Sequence, residues 1–298
     1  TDRSLRGTGA TVLALGDPAQ LRSLSLATER PSAAIDYSRF APRTALTTDG
    51  RRRLHTRHTE WTGRSPVVLA GMTPTTVDAA IVAAAANGGH IAELAGGGQV
   101  SAAILSERLD ELGELLDTGQ EVVFNALHLD PYLWGLHLGR DRLVQKARRE
   151  GAPICGVTIS AGIPDRDDAV ALIDDLVADG MWCNAFKPGD EAGVRKVLEI
   201  ADGTPHRIWL HLEGGLAGGH HAWSDLEQVL IATYDEVRRR PNVALAVGGG
   251  VGTPERAAEL LDGSWSLRHA AVAMPVDAVL VGTAAMATAE STASASVK

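Results

Sequence analysis

From Pro66 onward this chain of 298 residues repeats one unit eight times: a short apolar, β-branched run, then a stretch with helical periodicity. The runs are Val67–Met72, His90–Leu94, Val122–Leu127, Ile154–Ser160, Cys183–Lys187, Ile208–Glu213, Val243–Gly248 and Ala278–Thr283. Most are too apolar for a strand with one wet face and read as parallel strands covered on both sides. Between them Val194, Val197, Leu198 and Ala201 fall on one helical face. Ser224–Glu227 reads as a capping box, and Thr253-Pro254 starts a helix that Gly263 closes. Eight strand–helix units predict a (β/α)8 TIM barrel, an α/β fold, over 66–298. A doubly wound sheet is the competing architecture. It is disfavoured because no G-x-G-x-x-G follows the first strand and the glycines gather after the seventh and eighth.

Residues 1–65 differ from the rest and read as an N-terminal connecting segment. Ala10–Gly16 has the look of a strand and Asp49-Gly50 of a hairpin turn. The basic run Arg51–His58 reads as a charged strand, with contact to an anion as the alternative. Both ends of the chain, Thr1 and the small, polar Ser291–Lys298, look like cuts in something longer. The formal charge of −9 argues against a nucleic-acid partner. Cys155 and Cys183 lie in apolar runs without metal-type spacing, which suits a reduced, cytoplasmic setting. No segment is apolar for long enough to span a bilayer.

In such a barrel the loops after the strands form the active face. Strand seven ends in Gly248-Gly-Gly-Val-Gly252 and strand eight in Gly282-Thr283; two adjacent glycine turns, one leading into a helix start, point to a phosphate site. Gly71-Met72-Thr73 follows strand one, where glycine allows close approach and methionine can lie against a flat ring, and Thr73-Pro74 reads as a helix start. Asn125 on strand three can donate to and accept from a ring edge. Lys187 ends strand five and is costly to bury unpaired; an electron-rich edge such as a flavin's would suit it. After strand six, Glu213-Gly-Gly-Leu-Ala-Gly-Gly-His220-His221 forms a glycine-rich loop with a histidine pair, able to donate a proton near neutral pH. No ligand spacing for a metal is present. His90, His128, His137, His206, His211 and His269 are scattered and receive no role.

These runs together resemble the enoyl reductase domain of type I fatty acid synthases, of the bacterial (mycobacterial-type) and fungal kind. The similarity rests on VVLAGMTPTTV (67–77), ELAGGG (93–98), FKPG (186–189), GGLAGGHH (214–221), VGGGVGTPE (247–255), LDGSWS (261–266) and MPVDAVLVGTAAM (274–286). The resemblance implies an FMN-dependent reduction of trans-2-enoyl thioesters on an acyl carrier protein, with NADPH or NADH as hydride donor, inside an oligomeric megasynthase. It implies FMN phosphate at Gly249, Gly250, Gly282 and Thr283, and the ring near Gly71, Met72, Thr73, Asn125 and Lys187. Stand-alone flavin enoyl reductases carry an A-G-G-H motif, here Ala217–His220, so His220 is implied as the catalytic residue, with His221 in reserve. The alternatives are a nitronate monooxygenase-like flavoprotein on the same barrel and a non-catalytic wall module of a megasynthase. An aldolase-type barrel is disfavoured, because only Lys187 among the lysines lies near a strand end.

Overall fold

The computed structural model describes residues 35–46, 50, 52–217, 223–269, 272–296 and 298. Ala10–Gly16, Asp49, Arg51, His220 and His221 lie outside the described residues. The chain divides into Thr1–Asp36 and Tyr37–Lys298, the second unit containing everything below. It opens with an antiparallel hairpin of β1 (Arg43–Leu46) and β2 (Arg52–His55), followed by α1 (Arg57–Thr62).

The alternation then runs β3 (Val67–Leu69), α2 (Ala79–Asn87), β4 (Ile91–Ala95), α3 (Ala102–Leu115) and β5 (Val122–Leu127). It continues with α4 (Pro131–His137), α5 (Leu143–Arg149), β6 (Ile154–Ser160), α6 (Arg166–Ala178), β7 (Asn184–Phe186) and α7 (Glu191–Asp202). Last come β8 (Ile208–Glu213), α8 (Leu226–Arg238), β9 (Val243–Gly248), α9 (Pro254–Asp262) and β10 (Ala278–Val281). Strands β3 to β10 pair in parallel and close into a barrel, with β10 against β3. The predicted (β/α)8 fold is therefore present, and four of the eight expected strands have the expected bounds.

Two expectations shift. The helix after Ser224 is capped by Asp225, whose side chain accepts from the N–H groups of Glu227 and Gln228, so the cap falls one residue later than the capping box predicts. Thr73-Pro74 leads into a short 3-10 turn, Thr75–Val77, rather than into an α-helix, and α2 begins at Ala79. Thr253, Pro254 and Gly263 cap and close α9 as predicted.

The pleat sorts each strand into two faces. Outward residues such as Leu94, Phe124, Ile159, Phe186, Leu210 and Val247 are buried under the helices. Inward residues build the barrel interior in layers. Near the floor Trp209 fills the space, and Ala244, Ala246, Ala278, Cys155 and Cys183 are small enough to admit it. Burying an indole withdraws roughly 200 Å² from water, on the order of 5 kcal/mol. Helix α1 stops the floor: Trp61 meets Trp209 edge-on at 5.2 Å, and Trp209 Nε1 donates to His58 Nδ1 at 3.1 Å. Thr56 and Thr59 cap α1 reciprocally, and Thr56 Oγ1 also donates to the Asp277 carbonyl at 2.7 Å. Of the basic run, Arg52 and Arg53 lie on the exposed hairpin, while His58 is buried.

A second anchor joins α8 to the strand ends. Arg238 Nη1 donates to Asp277 Oδ2 at 2.6 Å, both side chains being buried, and the same oxygen accepts from the Leu245 N–H at 2.7 Å. Removing one partner of such a pair strands the other charge. Asp277→Ala is expected to cost about 3–5 kcal/mol, read as a lowered urea midpoint.

Burial, with His211 nearby, pushes the His58 imidazole down to about 4. An unfolded imidazole takes up its proton near pH 6.5, so the unfolded chain binds protons first as the medium acidifies. Stability should therefore fall as pH drops from about 6.5 toward 4. His58→Gln is expected to flatten that slope in urea melts at pH 7, 6 and 5.

Candidate active site

At the carboxyl ends of the strands the inward positions are no longer apolar. Glu93 on β4, Asn125 on β5, Thr158 and Ser160 on β6, Lys187 just after β7, and His211 and Glu213 on β8 all point inward. Above them lies a cleft of about 1010 Å³. Gly71, Met72, Thr73, Asn125, Lys187, Gly249, Gly250, Gly282 and Thr283 all line it. Nine residues spread over more than two hundred positions of sequence thus share one surface.

Glu93 is the centre of this polar layer and has no exposed surface. Its Oε2 accepts from the Gly71 N–H and from Asn125 Nδ2, each at 2.7 Å, and its Oε1 from Thr158 Oγ1 at 2.7 Å. Lys187 Nζ lies 3.7 Å from Oε2. His211 Nδ1 lies 3.1 Å from Oε1, close enough to feel its charge but poorly aligned for a hydrogen bond. Burial by itself would raise the Glu93 carboxyl, but the Lys187 ammonium, His211 and Thr158 hold it far below the usual range. Burial likewise opposes the charge on Lys187, and Glu93 and Glu213 outweigh it and hold the amine protonated. Asn125 is committed on both sides, since its Oδ1 accepts from Ser160 Oγ at 2.7 Å.

The close contacts explain Gly71. A Cβ there would meet the Asn125 side chain at 2.7–2.8 Å, so only glycine lets the loop sit against the amide that Glu93 orients. The loop is locked from behind by Thr76 Oγ1, which accepts from the Met72 N–H at 2.7 Å.

The two glycine turns face the same cleft. Gly249 (φ +97°) and Gly250 (φ +76°) are in the left-handed region, which costs an L side chain strain. At Gly249 a Cβ would also press on the backbone of Gly214 and Ala217 at 3.2 Å. The N–H groups of Gly250, Val251, Gly252, Thr283 and Ala284 donate to no group among the described residues. Unpaired amides beside the start of α9 form an anion cradle.

Sequence reasoning passed over Glu93, Thr158, Ser160, Glu213 and His211 as individual site residues. A signal existed for the first: a glutamate at the middle of an apolar strand must find donors from elsewhere. Nothing local marks His211. The other histidines left without a role hold structural contacts, such as His90 Nδ1 with Ser65 Oγ at 2.7 Å and His137 Nε2 with the Gln99 carbonyl at 2.8 Å.

The fold and cleft define a class: a parallel (β/α)8 barrel whose mouth combines an anion cradle with a buried lysine–carboxylate cluster. Comparison with known proteins adds the kinship. Residues 207–298 match a family described as "Fatty acid synthase subunit beta/Fas1-like, helical". The fatty acid synthase subunit beta of Aspergillus oryzae is 35% identical over 300 residues, covering 99% of this chain and 14% of that protein. That of Saccharomyces cerevisiae is 32% identical over 250 residues, covering 83% and 12%. The chain is similar to fatty acid synthase beta subunits and spans about an eighth to a seventh of their length.

Among solved structures, a nitroalkane oxidase from Streptomyces ansochromogenes superposes with a TM-score of 0.58 at 20% identity, covering 80% of this chain and 70% of that one. The enoyl reductase domain of MlnA from Bacillus amyloliquefaciens gives 0.61 at 15% identity, covering 81% and 59%. At these identities the likeness is one of fold.

Glu93→Gln keeps the shape of the side chain but removes the charge that Lys187 faces. We expect a loss of about 3–5 kcal/mol, measured as a lowered urea midpoint, with far-UV circular dichroism retained.

Proposed function

We propose that the chain is the enoyl reductase segment of a fatty acid synthase, reducing trans-2-enoyl thioesters presented by an acyl carrier domain, with FMN as resident cofactor and NADPH or NADH as donor. The observation that carries this reading is the shared cleft: nine residues singled out along the sequence line one surface, and it offers the groups such a cofactor needs. The kinship with fatty acid synthase beta subunits supports the substrate class. In this reading residues 66–298 are the reductase barrel and 1–65 a connecting segment. The setting is cytoplasmic, and the other domains of an oligomeric synthase are the partners.

The residues fit the cofactor. Left-handed glycines leave the cradle free of side chains, and its unpaired N–H groups suit a phosphate at Gly249, Gly250, Gly282 and Thr283. A flat ring would lie near Gly71, Met72 and Thr73, with Asn125 and Lys187 toward its polar edge. Bound there, FMN supplies two-electron hydride chemistry between a nicotinamide and an activated carbon–carbon double bond.

The chain's own part is positioning and charge. Lys187, kept protonated by its carboxylates, offers a fixed cation at the cleft. Glu93 fixes the orientation of Asn125 and of the Gly71 N–H. His220 is proposed to hydrogen-bond the thioester oxygen or deliver the α-carbon proton. His220 lies outside the described residues, and this role rests on the A-G-G-H motif that begins at Ala217, itself a residue of the cleft lining.

The test is a visible absorption spectrum of the chain after soaking with FMN and desalting. We expect flavin bands that survive desalting, bleach with NAD(P)H under anaerobic conditions, and return with crotonyl thioester. Gly249→Ala should weaken flavin retention at least about tenfold, because its Cβ would both strain the turn and press on the backbone of Gly214 and Ala217 beside the cradle. Colour that returns only with air and nitroalkane would assign a nitronate monooxygenase activity instead. An FMN-free chain, also colourless when extended by both flanks, would overturn the reading.

A further inference from the structure

Lys187 has two carboxylate partners, and the structure makes them unequal. Glu93 is fully buried, and its oxygens already accept from Gly71, Asn125 and Thr158 in addition to facing the ammonium. Withdrawing it would leave the donors on Gly71, Asn125 and Thr158 without their acceptor and weaken the pairing of the Lys187 ammonium at the same time, a costly combination. Glu213 differs on each count. Its Oε1 lies 3.4 Å from Lys187 Nζ, and Lys187 is its one ion-pair or side-chain hydrogen-bond partner among the described residues. It is the last residue of β8, borders the cleft, and keeps part of its side chain exposed. If it turns away, its carboxylate gains water, and the Lys187 ammonium keeps Glu93 at 3.7 Å.

We propose that Glu213 is an exchangeable partner of Lys187: a ligand presenting an anionic or electron-rich edge takes over the ammonium and displaces the Glu213 carboxylate, while Glu93 stays. An ammonium has three donors in a tetrahedral set. Among the described residues only Glu213 accepts a hydrogen bond from it, Glu93 standing at ion-pair distance, so the contact a ligand in the cleft contests is the one with Glu213. The exchange conserves charge pairing at Lys187 throughout, and an empty cleft never holds an uncompensated buried cation. Affinity for the ligand is correspondingly reduced, because each binding event must break the Lys187–Glu213 contact. Glu213 is in this sense a specificity residue: only a ligand with an edge able to replace a carboxylate gains from Lys187.

This inference rests on the FMN reading for its ligand, and FMN is the probe. The dissociation constant would be measured by quenching of flavin fluorescence for the full chain, Glu213→Gln, Lys187→Met and the double variant. Glu213→Gln should bind FMN up to about fivefold tighter, the size expected when one partly exposed ion pair no longer competes. Glu213→Ser, which removes the carboxylate without an isostere, should move affinity in the same direction; thermal melts would establish that each variant folds. In the Lys187→Met background the gain should vanish, because no ammonium remains to be contested. A gain that persists without Lys187 would mean simple charge repulsion and overturn the exchange, as would equal or weaker binding by both Glu213 variants. FMN bound by the unsubstituted chain with no gain sinks this inference alone. FMN bound by none of these proteins sinks the functional reading together with it.

Discussion

A carboxylate with no exposed surface has to be surrounded by donors, and Glu93 imposes that demand at the heart of the barrel. Its partners come from the loop after β3, from β5, β6 and β8, and from the end of β7. Among the described residues, no other ties together so many of the segments that carry the cleft. A barrel with a purely apolar interior would be indifferent to small changes of strand stagger. One with a single buried glutamate is not, since every partner must arrive within hydrogen-bond or ion-pair reach. The same contacts hold Lys187 charged and orient Asn125, so the element that organises the interior also sets the electrostatics of the mouth.

The two ends of the barrel solve different problems. At the floor one indole, Trp209, is accommodated by alanines and cysteines and closed off by α1, which joins Trp61 and His58 to it. At the mouth, side chains retreat: Gly71, Gly249 and Gly282 leave backbone exposed to the cleft, and the polar layer lies just beneath. Between them the pleat carries the chain from one regime to the other. On β8, for example, Trp209, His211 and Glu213 follow each other inward at every second residue. The floor supplies rigidity through burial, and the mouth uses that rigidity to keep a charged cluster in place.

Much of this was legible in the residues. The eight strands could be found from apolar runs and the helix boundaries from turn chemistry, as at Thr253, Pro254 and Gly263. Errors were local and had local causes. Ser224 and Asp225 are both capping residues, and the backbone conformation, invisible in sequence, gave the role to Asp225. Lys187 was recognisable as a cation in need of an anion, but its anions were not. Glu93 sits 94 residues earlier and Glu213 26 residues later, and neither is marked by spacing.

What the sequence by itself determined is therefore what depends on near neighbours: strand and helix periodicity, the glycine turns after β9 and β10, and the list of residues placed just beyond strand ends. Once eight such units exist, closure of the barrel brings those ends together without further instruction. Only the tertiary structure decided which inward side chains share a layer, and so which charges meet. That outcome depends on strand stagger and tilt around a closed sheet, a property of all eight strands jointly. It is why His211 and Glu213 became part of the site although no run of residues around them announced it, and why the partners of Glu93 could not be read from its strand.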